Sequence, residues 1–427
     1  MTMDRRLIVF GTELRRRRMQ SGLSLADLSR LVHYSKSHLS KVENGLKPPS
    51  IDLARRCDAA IGCDGALAGL APRPVVDVDI QPDTDVGEVW VLTLGAEGDS
   101  GFRSVSRREL ITSGVAGVAA WAGLPHPLSG PDPTAAGKLA AFRAIFDELR
   151  ALGQQVAPAA LMPALVGQTH ALRALAGAAA ANERPALLLL AARYAEYTGW
   201  MAQEAGDDSG AAWWTGRAVD LAEAGGDPEM AAYALVRRAL ISLYQQDAVQ
   251  TVELARQARS TATNPRIRSL ASLREAQGHA LAGDYDACFR ALERAGGTVP
   301  GDAAPSAPVI GTSQVPDPVA TATGWCLLDL GRPVPAAEIL RRELDRIPPT
   351  ALRARARYGA RLALALAAAG EPEEACRQAG PVLEACERID SATVRAELRH
   401  LNRALGRWHA VPLVRDTRLR LARTLHR

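Results

Sequence analysis

The sequence predicts an all-α protein: four or five short N-terminal helices, a short β-containing linker, and stacked helix pairs over the rest of the chain. Three observations carry this prediction. Aromatic residues make up only 4% of the 427 residues. Long Ala/Leu/Arg runs favour helices packed closely through small side chains over a sandwich of aromatic and β-branched strands. Turn signals also recur through the second half at similar intervals, as repeated helical units require. The length exceeds the ~100–200 residues of one domain, so at least two units are expected. The boundaries read as 1–71 for the N-terminal unit, 72–133 for the linker and 134–427 for the repeats. Hydrophobic residues at 47% and charged residues at 23% exclude general disorder and collagen-like repetition.

The first helix begins around Phe10, with Leu14 and Met19 able to face a core while Arg15, Arg16 and Arg17 stay wet, and Gly22 ends it. Ser24 caps a second helix carrying Leu25, Leu28 and Leu31, with Asp27 completing an acidic variant of the capping box. After Val32-His33-Tyr34, Ser35 caps a third helix from Lys36 to Asn44, closed by Gly45. Pro48-Pro49 breaks the chain, and Ser50 caps a fourth helix that runs to Gly62.

Charge is unevenly placed. Residues 1–73 hold 13 Lys/Arg against 7 Asp/Glu, whereas the remainder is slightly acidic. Of the four lysines, Lys36, Lys41 and Lys47 fall within twelve residues. A basic unit in which two short helices flank a turn is suited to placing its second helix in the major groove. A charge run alone is more often a solvated face. Here the residues say more. The run GLSLADLSRLVHYSKSHLSKVENGLKPPS, with Leu39, Val42 and Glu43-Asn44-Gly45 at their spacing, resembles the helix-turn-helix of the Cro/repressor, or xenobiotic-response-element, family of bacterial transcription regulators. The resemblance covers roughly residues 8–70.

That resemblance implies that Lys36, Ser37 and Lys41 reach base edges, with Ser40 on base or phosphate. The chemistry suits: an ammonium donates to guanine O6/N7, and a hydroxyl donates or accepts. It implies phosphate contacts for Asn44 and Lys47, to which Arg15 and Arg17 on the first helix are added, and a structural ion pair of Arg18 with Glu43. Two positions depart from the family pattern. Leu25 stands where Gln is common, and His33 replaces the turn glycine, so the turn must accept a left-handed His or bend differently. His38, between the readers, is given no metal role.

In the linker, Val75–Ile80 and Glu88–Leu94 suggest one or two short strands, which as a pair would form a hairpin, followed by a loop from Gly95 to Gly101. Ser106-Arg107-Arg108-Glu109-Leu110-Ile111 looks like a twin-arginine export signal, but a folded module precedes it. The same residues form a capping box opening an Ala/Val-rich helix, which is the plainer reading. Pro125 to Pro133 reads as a hinge. The N-terminus lacks a secretory signal, and no apolar run is long enough to span a bilayer.

From Thr134 the stripe Leu139, Phe142, Ile145, Leu149 and Leu152 marks an amphipathic helix. Turn signals follow at Gly206-Asp207, Gln246-Asp247, Gly283-Asp284, Gly331-Arg332 and Gly370-Glu371, spaced 40, 37, 48 and 39 residues apart. An insertion from Gly296 to Pro318 accounts for the longest interval, and reads as a mobile loop or one lying across the groove. The segments ALAGDYDACFRALERA (280–295) and LAAAGEPEEACRQA (366–379) resemble the tetratricopeptide family, although the period is long and the aromatic positions are mostly missing. Such an α-solenoid of tetratricopeptide-like helix pairs offers a concave binding surface. Tyr194, Tyr197, Trp200, Trp213 and Trp214 concentrate aromatic mass there, either as core fillers between helices or as the lining of a ligand groove.

Six scattered cysteines make no disulfide framework, and Cys57 and Cys63 lack partners for zinc. No phosphate loop, His-Glu-x-x-His helix or nucleophile elbow occurs. The expectation is therefore a cytoplasmic, non-enzymatic regulator without cofactor or metal. It binds double-stranded DNA as a homodimer, stays off membranes, and senses a peptide, small molecule or protein through its repeats, as the resemblance to regulators joining these modules implies. The alternative is a repeat-based adaptor that the helix-turn-helix merely localises.

Overall fold

The computed structural model describes residues 5–63, 65–71, 89–94, 100–105, 135–297, 310–311 and 314–426. Val75–Ile80, the Ser106/Glu109 capping box with its helix, the hinge before Pro133 and most of the Gly296–Pro318 insertion lie outside them. The chain forms two compact units: Met1–Val76 together with Ala231–Arg427, and Asp77–Met230. Nearly all described residues are helical.

The first unit opens with five helices: α1 (Arg5–Gln20), α2 (Leu25–Val32), α3 (Lys36–Glu43), α4 (Ile51–Ile61) and α5 (Ala66–Leu70). Serine caps start three of them. Ser24, Ser35 and Ser50 accept from the backbone N–H of Asp27, His38 and Leu53, and Asp27 returns a bond to the Ser24 backbone. Phe10, Leu14, Leu28, Val32, Leu39, Val42, Leu53 and Leu67 fill the core. Two expected core residues are not in it. Met19 is exposed because five helical steps rotate it about 140° from Leu14. Leu31 is exposed because Val32, one turn after Leu28, takes the inward position.

The same unit continues as helices α10 (Glu229–Tyr244), α11 (Ala248–Thr261), α12 (Pro265–Ala282), α13 (Tyr285–Gly296), α14 (Pro318–Asp329), α15 (Pro333–Arg346), α16 (Leu352–Ala369), α17 (Pro372–Ile389), α18 (Ala392–Leu405) and α19 (Pro412–His426). Sequential helices pack as hairpins, and α12 also packs on α14, and α16 on α18, so pairs stack on pairs. One turn device joins the helices of a pair: a residue of positive φ, then the start of the next helix. Gln246, Gly283, Gly331 and Gly370 take φ of 62°, 87°, 76° and 90°. Asp247 and Asp284 then cap by accepting from Gln250 and Ala287 N–H. The described end of the insertion is docked: Arg266 Nε donates to Ile310 O at 2.7 Å, and Val315 is buried.

The second unit holds strands β1 (Val89–Leu94) and β2 (Ser100–Val105), antiparallel with Val89 opposite Val105, and helices α6 (Ala135–Leu152), α7 (Pro158–Ala178), α8 (Arg184–Ala205) and α9 (Asp208–Ala224). The partner of β1 thus begins at Ser100, inside the stretch read as a loop. Gly206 and Asp207 repeat the turn device between α8 and α9. In α6 the buried residue is Phe146, whereas Ile145 and Leu152 of the expected stripe are exposed. Among the described residues no helix is long and apolar enough to cross a membrane.

Candidate nucleic-acid interface

Helix α3 is held from behind. Leu39 and Val42 are fully buried, and Gly11 of α1 lies beneath its end, where an added Cβ would stand 2.5 Å from Val42 O and 2.6 Å from Glu43 O. Arg18 donates through Nε and Nη2 to the Glu43 carboxylate at 2.7 and 3.0 Å, and through Nη1 to Leu23 O at 2.8 Å. One guanidinium therefore ties α1, the turn before α2 and the end of α3. The turn between α2 and α3 is closed by His33 in the left-handed region, φ 54°. Ser29 Oγ donates to Tyr34 O at 2.6 Å across that turn.

The opposite face is open. Lys36, Ser37 and Lys41 are exposed and Ser40 is half-buried. Asn44 is exposed, its Nδ2 donating to Ser40 O at 2.8 Å. Lys47 is exposed, with Nζ 3.4 Å from His38 Nδ1. Arg15 is exposed. Arg17 is half-buried and bonded to Glu13 at 2.5 Å, a carboxylate that Arg16 and Arg17 hold down to about 2. Burial, then Lys47, Lys41 and Arg407, push the His38 imidazole below its usual range. The face thus offers ammonium and hydroxyl donors in a positive field, suited to guanine edges and phosphate.

This module is built into the repeats of its own unit. Arg55 Nη2 donates to Leu281 O at 2.6 Å and Arg56 Nη1 to Ala368 O at 3.1 Å, each carbonyl lying in the last turn of a repeat helix. Cations there meet the negative end of the helix dipole. Gly65 and Gly283 pack backbone to backbone, a Cβ on Gly283 falling 2.7 Å from Gly65 Cα. Arg407 Nη1 donates to His33 O at 2.6 Å, with its guanidinium 4.7 Å from the Tyr34 ring centre. Sequence reasoning missed Arg55, Arg56 and Arg407. The local signal was small: Arg55 and Arg56 sit side by side in a helix that also carries Asp52 and Asp58, and their acceptors lie hundreds of residues away.

In the other unit, Tyr194, Tyr197 and Trp214 are buried, and Trp200 and Trp213 half-buried. Tyr194 and Tyr197 donate to Phe142 O and Arg150 O at 2.7 and 3.3 Å, and Phe146 packs on both rings. Trp213 meets Trp214 edge-on at 4.8 Å. All six cysteines are buried free thiols.

No curated protein and no solved structure matches the chain. One family model does match, over the five helices just described: residues 9–70 carry a helix-turn-helix domain, the DNA-binding module of this chain.

Proposed function

We propose that the chain is a sequence-specific transcription regulator whose repeats, similar to tetratricopeptide units, receive a ligand and bring two copies together. The observation that carries this reading is the division of α3: Leu39, Val42 and Glu43 are used inward, and Lys36, Ser37 and Lys41 are left outward. A single module makes few base contacts, so two copies reading half-sites about 10 bp apart, or a multiple of that, are part of the proposal. Lys36, Ser37, Ser40 and Lys41 read bases; Asn44, Lys47 and Arg15 hold phosphates, with Arg17 shared between Glu13 and the backbone of DNA.

Selection from a randomised duplex library gives the test. Lys41→Ala is expected to lose about 1–3 kcal/mol of discrimination at one base position. Lys47→Ala is expected to weaken all sequences alike and to reduce the salt slope by about one. A library preference identical in wild type and Lys41→Ala would remove Lys41 from the reading set. Wild type without any preference would leave the adaptor reading.

A further inference from the structure

Helix α18 carries more positive charge than its own packing requires. Arg395, Arg399 and Arg403 follow one another at four-residue steps along it, and Arg407 continues the series in the turn beyond. Side chains four residues apart are neighbours on one face of a helix, and like charges so placed destabilise it. The acid of α18 is Glu397, which is buried and turned to Arg361 at 3.2 Å. The outer side of α18 therefore has no carboxylate of its own. Arg395 is bonded to Asp390, just ahead of the helix. Arg399 and Arg403 are exposed, and among the described residues neither guanidinium has a hydrogen bond or ion pair.

The series ends against the helix-turn-helix. Arg407 is committed there, donating to His33 O at 2.6 Å with its guanidinium 4.7 Å from the Tyr34 ring centre. It pins the end of α18 to the turn that precedes α3. A recess beside that turn has Tyr34, Ser35 and His38 on one side and His400 and Arg403 on the other. Arg403 thus stands across the recess from Ser35, the N-cap of α3. One positive field covers both sides. After burial, Lys47, Lys41 and Arg407 together lower the His38 imidazole, and Arg403 acts in the same direction on His400 against Glu397. Helix α19, packed on α18, adds Arg415, Arg418, Arg420 and Arg423 against one acid, Asp416, and Arg418 donates to Asn402 beside Arg403 at 3.1 Å.

We infer that α18 is a second DNA contact, in which Arg399 and Arg403 hold phosphates of the duplex beside the stretch that α3 engages. The placement of α3 on DNA is that of the proposed function, on which this inference rests. Continuity favours a duplex over any other polyanion, because the arginine series begins at the domain whose family is DNA-binding and runs outward from it. From Arg399 to Arg407 the helical rise amounts to ~12 Å, the length of about three or four phosphates along one strand. A guanidinium matches a phosphate bidentately, and such a contact fixes register without reading sequence. The repeats thereby add affinity and orientation, and base preference stays with α3.

The affinity of the full chain for a duplex of arbitrary sequence, measured between about 50 and 200 mM salt, tests the contact. Arg399→Ala and Arg403→Ala are each expected to lower the slope of log affinity against log salt by about one, and the double replacement by about two. Arg399→Lys/Arg403→Lys is expected to keep most of the slope, because charge releases the counterions. Removing like-charged neighbours from an exposed face should leave the melting temperature unchanged or raise it. Preference in a randomised duplex library is expected to stay as in wild type. Arg341→Ala, an exposed arginine in the middle of α15, is the control and should leave the slope unaltered. A slope equal in wild type and the double alanine variant overturns the contact. So does an equal fall with Arg341→Ala, which marks a general effect of charge, or a library preference that changes with the double variant. Wild type that binds duplex without preference removes the regulator reading and leaves this measurement intact; wild type that binds no duplex overturns both.

Discussion

Arg18 shows how much one side chain can organise. Its guanidinium spans three segments, and the pair with Glu43 is nearly sealed, with side-chain exposures of 11% and 6%. By contrast, the Arg16 pair with Glu13 is half in water and contributes little to stability despite its short distance. Arg18→Ala strands the Glu43 carboxylate without its partner, where breaking a buried pair costs ~3–5 kcal/mol and partial exposure reduces that to about 2–4. Urea unfolding of the full chain should show the midpoint falling by that equivalent. Arg18→Ala/Glu43→Ala should recover part of the loss, since no lone charge is left. A single variant as stable as wild type would mean that water already screens the pair. Both residues were legible in the sequence only through the family resemblance, which pairs an arginine on the first helix with the Glu of Glu43-Asn44-Gly45. Arg55, Arg56 and Arg407 were not, because nothing local distinguishes them from the chain's many solvated arginines.

At the scale of elements, legibility followed the range of the interaction. Caps at Ser24, Ser35 and Ser50 and the recurring turns are decided by neighbours three or four residues away, so the sequence displays them. The side of a helix that turns inward depends on what lies opposite. Phe146 rather than Ile145 is therefore buried in α6, where Tyr194 and Tyr197 meet it. The turns carry a further consequence. Four of the five described turns place glycine at the left-handed position, whereas Gln246 occupies it at φ 62° with a Cβ to accommodate. Left-handed backbone costs a non-glycine residue ~1–2 kcal/mol, partly offset by the entropy glycine loses on folding. Gln246→Gly is expected to stabilise the chain by about 0.5–1 kcal/mol, read as a higher melting temperature. A lower one would show that the Gln246 side chain, whose Nε2 lies 3.4 Å from Leu243 O, contributes more than the backbone relief.

For the molecule as a whole, the shared direction of five of its histidines sets the response to acid. His33, His38, His170, His279 and His400 are all lowered from 6.5, in each case chiefly by burial and further by nearby arginines or lysines. A lowered imidazole binds fewer protons folded than unfolded, so stability rises with pH across the interval between the two values. Above about 6.5 these groups contribute fully; as pH falls through their folded values, the contribution is lost. Asp27 and Glu275 are lowered as well, Asp27 mainly by its Ser24 bonds and Glu275 by its arginines against the opposing effect of burial. Their stabilisation is present above the ordinary carboxylate range and disappears only at stronger acid, in the same direction. Acid should therefore act in two stages, the first between pH 7 and 5 from imidazoles and the second below about 4.5 from carboxylates. Urea midpoints at half-unit steps from pH 8 to 4 check this, with a flat region from 8 to 7 and a decline beginning near 6.5. A midpoint rising between pH 7 and 5.5 would reverse the sign and show the histidines to be stabilised as cations.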